Sequence, residues 1–389
     1  MVVLDSMYIG LGQGLLYALV AIGIFLTFRV MKYPDLTCEG SFAFGGALGM
    51  TLIVHGVPSI PAIIIAMIGG GVAGFLTGII HTKLKINGIV VGILMTMALF
   101  SINLFVMQSP NISTGRENFI FYPIRQLFIL MGMNPQYAQL TAFVFVGAVI
   151  VALIIVGLHF LYKTAFGLSI RATGSNENMS RANGINTDTA KIFALVISNA
   201  IIALAGALIA QHQSGADVRL GANALIMGLA GLVIGEVIAP KKSGLWIKFI
   251  CVTAGSVIYF CIRSLILITG IATEAFNIVT AVITLAALCV PKLVKFIKSK
   301  KKPAFNGGGT PTLVVGDDYL AETVDTSEIS GDTQASFLAD SNEAVQAPVI
   351  DTVMAADPLV LTEEVQILEK PKTLRKTKKK SDADEGGKK

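Results

Sequence analysis

Long apolar runs alternate with short polar breaks from the start of the chain to about residue 292. A membrane-crossing helix needs about 20 predominantly apolar residues. Runs that reach or approach this length are Met7–Phe28, Gly40–Val54, Ile60–Ile80, Gly88–Met107, Tyr137–Leu161, Ile192–His212, Ala222–Ala239, Leu245–Ile268 and Ala275–Val290. The pattern predicts an all-α, polytopic membrane helix bundle of about 8–9 transmembrane spans. Gly40–Val54 is short enough to be a broken or re-entrant helix, so the count carries an error of one. Gly70, Gly74 and Gly78 share one face of the third run, where a second helix can approach closely.

The breaks carry the polar information. Arg29, Lys32, Pro34, Asp35 and Glu39 interrupt the first pair of runs, and Gln108–Gln136 is a polar loop with three prolines. The longest break between two full spans, Tyr162–Lys191, is helix-compatible rather than random. Gly167–Gly174 can form one short amphipathic helix, and Asn176–Asn183 another, with Gly184 as its stop. At about 30 residues it exceeds most connections in helical bundles, which favours a functional surface over a plain loop.

Lysine and arginine collect at Arg29/Lys32, Lys83/Lys85, Lys163–Lys191, Lys241/Lys242 and Lys292–Lys302. These sites fall at alternate span ends, hence on one face, which the distribution of basic residues assigns to the cytoplasm. With nine spans, the C-terminus lies inside and the N-terminus outside. Arg116 and Arg125 are the exceptions. The first run lacks a basic leader and reads as a retained span rather than a cleavable signal.

Composition agrees with this picture and adds one division. Apolar residues make up 53% of the chain and charged residues only 14%, as in an integral membrane protein. Residues 1–302 hold 21 Lys/Arg against 9 Asp/Glu, about +12, while residues 303–389 hold 9 against 16, about −7. The organisation expected is a transmembrane domain over 1–302 and a disordered acidic tail over 303–389 with a Lys-rich end. The tail has too little apolar residue to offset its ordering entropy. Its patch Lys370–Lys380 reads as solvated or, less readily, as touching anionic membrane lipid.

Candidate chemistry is sparse. Cys38, Cys251, Cys261 and Cys289 form no C-x-x-C and read as small membrane hydrophobes. His81 and His212 stand near span ends without metal-ligand spacing, so no metal and no cofactor is expected. Gly307-Gly308-Gly309-Thr310 lacks the lysine of a phosphate-cradling loop. No catalytic residue set is present, and any energy from ATP must come through another chain. A nucleic-acid partner is not expected.

Three segments carry a resemblance. They are Gly167-Leu168-Ser169-Ile170-Arg171-Ala172-Thr173-Gly174-Ser175-Asn176, Arg181-Ala182-Asn183-Gly184-Ile185-Asn186, and the run through Ala203-Leu204-Ala205-Gly206. Together they resemble the permease family of ATP-driven (ABC) importers for branched-chain amino acids, ribose and related solutes. Pro34–Phe42 and Gly228–Ile238 are further similar to permeases of the tryptophan- or tyrosine-uptake type, with Glu236 a departure from the small residue expected in the sugar and branched-chain members. The resemblance covers roughly residues 8–292. It implies a membrane-spanning, non-enzymatic transport subunit in the bacterial plasma membrane. Implied partners are cytoplasmic ATPase subunits, an extracellular solute-binding protein and a second permease copy, most simply as a homodimer. In the family, the loop containing Gly167, Arg171, Ala172, Gly174, Asn176, Arg181, Ala182, Gly184 and Ile185 couples the permease to the ATPase. An aromatic amino acid is the solute that the subfamily implies. A simple sugar or nucleoside, or a stand-alone secondary transporter, is the alternative. The last would need matching broken helices in two halves, and only Arg29–Glu39 reads as broken.

For the translocation path, the candidates are Glu39 with Thr37 and Ser41, and Asn103 in the fourth run. A carboxylate beside a broken helix at membrane depth is costly unless paired or facing water. The alternatives are an ion pair of Glu39 with Arg29 or Lys32, and a helix–helix hydrogen bond for Asn103 or Ser101. Glu236 reads as pairing with Lys241 or Lys242, and Arg263 as marking an outer span end.

Overall fold

The computed structural model describes residues 2–115, 119–240 and 244–268, with the isolated helical positions Ile278, Val282 and Leu285. Apart from those positions, the expected ninth run, the cluster Lys292–Lys302, Cys289 and the tail 303–389 lie outside the described residues. So do Arg116, Glu117, Lys241 and Lys242. The chain divides into two units, Met1–Phe305 and Asn306–Lys389, and everything below concerns the first.

The elements in order are α1 (Val2–Ile24), which continues as a π-helical turn (Phe25–Val30), then α2 (Thr37–Val54), α3 (Ser59–Leu84), α4 (Gly88–Met107), β1 (Asn111–Ser113), α5 (Phe121–Leu130), α6 (Pro135–Leu161), α7 (Ala165–Ser175), α8 (Glu177–Ala182), α9 (Thr187–Gln213), β2 (Gly215–Asp217), α10 (Ala224–Ile238) and α11 (Leu245–Leu267). Among the described residues, seven helices are long and apolar enough to cross a membrane: α1, α2, α3, α4, α6, α9 and α11. The expected seventh run is a shorter apolar helix. Only Ala224–Ile238 of it is helical, about 22 Å of rise against a hydrocarbon core of about 30 Å.

Local chemistry explains the boundaries. Asn87, Asn134, Thr164, Asn176 and Asn186 each accept a hydrogen bond from an amide of the first turn of α4, α6, α7, α8 and α9, which satisfies donors that a helix start leaves open. Pro135 adds a preset first position to α6. The polar loop after α4 contributes β1, which pairs antiparallel with β2 in the register Ile112↔Ala216, and the short helix α5.

The bundle is organised around α1 and α9, the most enclosed of the spans. Small residues set the spacing. A Cβ on Gly70 would stand 2.2 Å from Ala203 Cβ, one on Gly74 would stand 2.4 Å from Leu195 O, and one on Gly78 would stand 3.0 Å from Ile192. The glycine stripe on α3 is thus the seat of α9. α2 meets α9 as closely, with Gly206 against the Phe42 carbonyl. The outer faces of α3, α4 and α6 expose Ile68, Val72, Met97, Phe105, Leu153 and Phe160. Such a belt of exposed apolar side chains needs lipid rather than water around it.

Two stretches of irregular backbone enter this bundle. The first is residues 31–36, where Met31, Tyr33 and Asp35 are buried while Lys32 and Pro34 are exposed. The second is residues 218–223, which leads from β2 into α10 through turns that place Asn223 at φ 69°. The sequence shows only the first. In both, backbone groups find partners in protein; among them, Tyr33 N donates to Thr27 O, Thr96 Oγ1 to Leu36 O and Val218 N to Pro110 O.

Candidate functional site

The helix α7 is amphipathic in the way its sequence dictates. Gly167, Ile170, Thr173 and Gly174 face inward, while Phe166, Leu168, Arg171 and Ser175 are exposed. Both glycines are contact points. A Cβ on Gly167 would lie 2.3 Å from Leu161 O, and one on Gly174 would lie 1.9 Å from Val30 O. Gly174 therefore seats α7 directly on the end of α1. Asn176 then closes α7 and caps α8, its side chain accepting from Met179 N at 3.1 Å.

A compact ion network fastens α8 to the start of α9. Glu177 Oε1 accepts from Arg181 Nη2 at 2.8 Å and from Lys191 Nζ at 2.7 Å, and Arg181 Nε donates to Thr187 Oγ1 at 2.9 Å. The Lys191 hydrogen bond, with the charges of Lys191 and Arg181, holds the Glu177 carboxyl below its usual range. Gly184 ends α8 in the left-handed region at φ 78°, with Ile185 N donating to Ser180 O at 3.0 Å. Of the expected coupling residues, Arg171, Asn176, Arg181, Ala182 and Gly184 are exposed, Ala172 and Ile185 are half-buried, and Gly167 and Gly174 face the bundle. The exposed ones form, with Phe166, Leu168 and Met179, a mixed apolar and basic surface.

The second constellation lies where the irregular stretches meet the helices. Asp35 is 1% exposed. Its Oδ1 accepts from Thr37 N at 2.9 Å, so it caps α2, and its Oδ2 accepts from Asn199 Nδ2 at 2.8 Å. Asn199 Oδ1 in turn accepts from Ser41 Oγ at 2.7 Å. The Thr37 and Thr77 hydroxyls are 3.1 Å apart. Because Thr77 donates to Ala73 O, Thr37 is the donor between them. Four elements are thus tied by one buried network.

Glu39, half-buried on α2, has its carboxylate near the backbone N–H groups of Leu225 and Asn223 at the start of α10. The cap residue Asn223 makes no side-chain capping bond of its own. A negative side chain suits the positive end of a helix. A Cβ on Gly221 would stand 2.0 Å from Glu39 O, which fixes how closely the second irregular stretch approaches α2. Asp35 thus caps α2, and Glu39 stands near the start of α10. Asn103 is 1% exposed, and neither atom of its carboxamide has a hydrogen-bond partner among the described residues.

Among the described residues Glu39 makes no ion pair with Arg29 or Lys32, and Arg29 Nη2 pairs with Glu236 Oε2. Glu236 thereby joins the end of α10 to the end of α1, while Lys241 and Lys242 lie outside the described residues. Arg263 lies near the end of α11, 5.3 Å from the Phe260 ring centroid. Among the described residues the cysteines are free and no group of His, Cys, Asp and Glu could hold a metal ion. Asp35 and Asn199 are the site residues that sequence reasoning passed over. An aspartate two positions before a helix start and an asparagine within an apolar run were the available signals.

The helices, their exposed apolar belt and the buried polar breaks define a multi-pass α-helical membrane protein. Residues 6–288 match the family described as branched-chain amino acid transport system / permease component, and the chain belongs to that family. It is 30% identical to a tyrosine transport system permease protein of Clostridioides difficile, over 76% of this chain and 95% of that protein. It is 23% identical to the ribose import permease protein RbsC of Escherichia coli K12, over 74% and 85% of the two chains. It is 25% identical to a probable branched-chain amino acid transport permease protein LivH of Methanocaldococcus jannaschii, over 51% and 63%. No solved structure matches. The family is a transport component rather than an ATPase, and membership implies partner subunits that supply ATP hydrolysis and deliver the solute.

Proposed function

We propose that this chain is the membrane subunit of an ATP-driven importer for an amino acid, with an aromatic one favoured. It works in the bacterial plasma membrane as a homodimer, with its basic end in the cytoplasm and the tail on the same side. The exposed surface of α7 and α8 receives the ATPase. The path runs past Thr37, Glu39, Ser41 and Asn103.

The observation that carries the reading is the seating of α7 at Gly174 on the end of α1. That contact joins a partner-accessible surface to the backbone that leads through Asp35 into α2. A shift of α7 driven by the ATPase would move the end of α1, and with it the polar network where both broken helices start. Such coupling requires a differential binding energy between two states. The aromatic preference rests on the likeness to the tyrosine permease.

The test is uptake of labelled tyrosine, leucine and ribose into proteoliposomes that hold this chain and its ATPase, with the cognate binding protein outside. ATP-dependent uptake of tyrosine alone is the expected result. Uptake without the ATPase would replace the importer with a secondary transporter, and uptake of ribose alone would move the substrate class to sugars.

A further inference from the structure

A cavity of about 570 Å³ opens at the basic end of the bundle, between the end of α1, α7, and the facing ends of α10 and α11. Its wall holds four cationic side chains, Arg29, Lys32, Arg171 and Lys248, against one carboxylate, Glu236. Glu236 is engaged by Arg29. Among the described residues, no carboxylate lies within ion-pairing distance of Lys32, Arg171 or Lys248. The lining also holds two buried apolar side chains, Phe25 at the start of the π-helical turn and Val252 on α11.

Cationic side chains together with apolar ones, at the end of membrane-crossing helices, match the junction of a phospholipid headgroup with its acyl chains. Basic pockets between transmembrane helices at such a level recognise anionic headgroups. A free anion would meet the cationic side chains alone and leave the apolar lining without a partner. We propose that this cavity is a binding site for the phosphate headgroup of an anionic membrane phospholipid. Seated there, one headgroup would join Arg171 on α7 to Lys32 beyond α1 and Lys248 on α11. The lipid would then brace α7 through Arg171, at the edge of its partner-facing surface.

The test uses the full-length protein in nanodiscs, with phosphatidylglycerol and phosphatidylcholine as probes. Retention of each lipid is read by native mass spectrometry after stepwise delipidation. Phosphatidylglycerol should be held preferentially. Each lysine removed should weaken its retention by about fivefold, the ratio set by roughly 1 kcal/mol per basic residue near a membrane surface. Lys32→Gln with Lys248→Gln should therefore lose most of the preference, Lys248→Arg should keep it, and Lys83→Gln with Lys85→Gln should leave it unchanged. Size-exclusion profiles identical to the parent confirm that the variants fold. Equal loss in the Lys83/Lys85 control would reduce the effect to general surface charge and overturn the site. Displacement of the lipid by millimolar inorganic phosphate would make it a free-anion site instead. Unchanged lipid retention in Lys32→Gln/Lys248→Gln, with weakened co-purification of the ATPase, would assign the cavity to an acidic group of that partner.

Discussion

Replacing Gly174 with alanine tests the path from α7 to the membrane helices at a single atom. The added Cβ would stand 1.9 Å from Val30 O and 2.9 Å from Met31 Cα. Ordinary contact begins near 3.4 Å, so α7 must retreat by about 1.5 Å or the end of α1 must yield. Both obstacles are backbone, which cannot swing aside as a flexible side chain can. Overpacking of this kind costs about 1–3 kcal/mol. Spent on unseating α7, that energy corresponds to about a 5–150-fold shift between the seated and displaced positions. Membrane insertion should be intact, because no apolar span changes. The assay is the ratio of solute imported to ATP hydrolysed in proteoliposomes, alongside a spin-label distance from exposed Leu168 to the outer face of α1. Gly174→Ala should keep hydrolysis and lose at least several-fold in import per ATP, with the label distance broadened. Gly184→Ala serves as the comparison. Its glycine is at φ 78° with nothing within 4 Å of the added Cβ, so only local backbone strain of about 1 kcal/mol arises. A wild-type import ratio in Gly174→Ala, with an unmoved label, would refute the path.

Three further predictions follow from the same geometry. Exchanging the partners of the exposed Arg29–Glu236 pair should restore what either single charge reversal loses in thermal stability, and because both groups are part-exposed each loss should be small, about 0.2–1 kcal/mol; single reversals without effect would leave the pair with no role in joining α1 to α10. Glu177 has a depressed carboxyl pKa, so its fastening of α8 is fully present above the unfolded value of about 4.3 and is lost as pH falls through the lower folded value. Amide protection over Glu177–Thr187, measured against the intrinsic exchange rate at each pH, should fall in acid, and Glu177→Gln should show that lower protection already at neutral pH; protection that ignores both changes would deny the network its part. Asn103→Leu removes a buried carboxamide that costs about 1–3 kcal/mol when unsatisfied, so it should raise the melting temperature while lowering uptake, and a stabilised variant with full uptake would remove Asn103 from the path.

Hydropathy located α1, α3, α4, α6, α9 and α11 to within a few residues, because lipid requires long apolar helices and little else in a sequence supplies them. The two helices of the Tyr162–Lys191 break were legible for a different reason. Asn176 and Gly184 are local signals, and capping is decided within four residues. What escaped was long-range or conformational. The window Ala222–Ala239 is apolar throughout, but apolarity does not reveal that helix begins only at Ala224, after a turn at Asn223. Nor does it reveal that Glu39 lies near the amides at that start. Arg29 and Glu236 are 207 positions apart, and Asp35 and Asn199 are 164 apart. Pairings of that kind are set by which helices touch, and the pattern of one segment holds no record of its neighbours.

The π-helical turn Phe25–Val30 has a bearing on how this end of the bundle can vary. A π turn accommodates one residue more than an α turn over the same rise. Removing one residue there would convert it to ordinary α-helix and swing everything beyond it by about 100°. Arg29 would swing away from Glu236, and Val30 would no longer underlie Gly174. The membrane-crossing part of α1, packed on α11 and α9, would be untouched. The turn thus acts as a phase setting, which fixes the angular position of the basic end independently of the buried length of the helix.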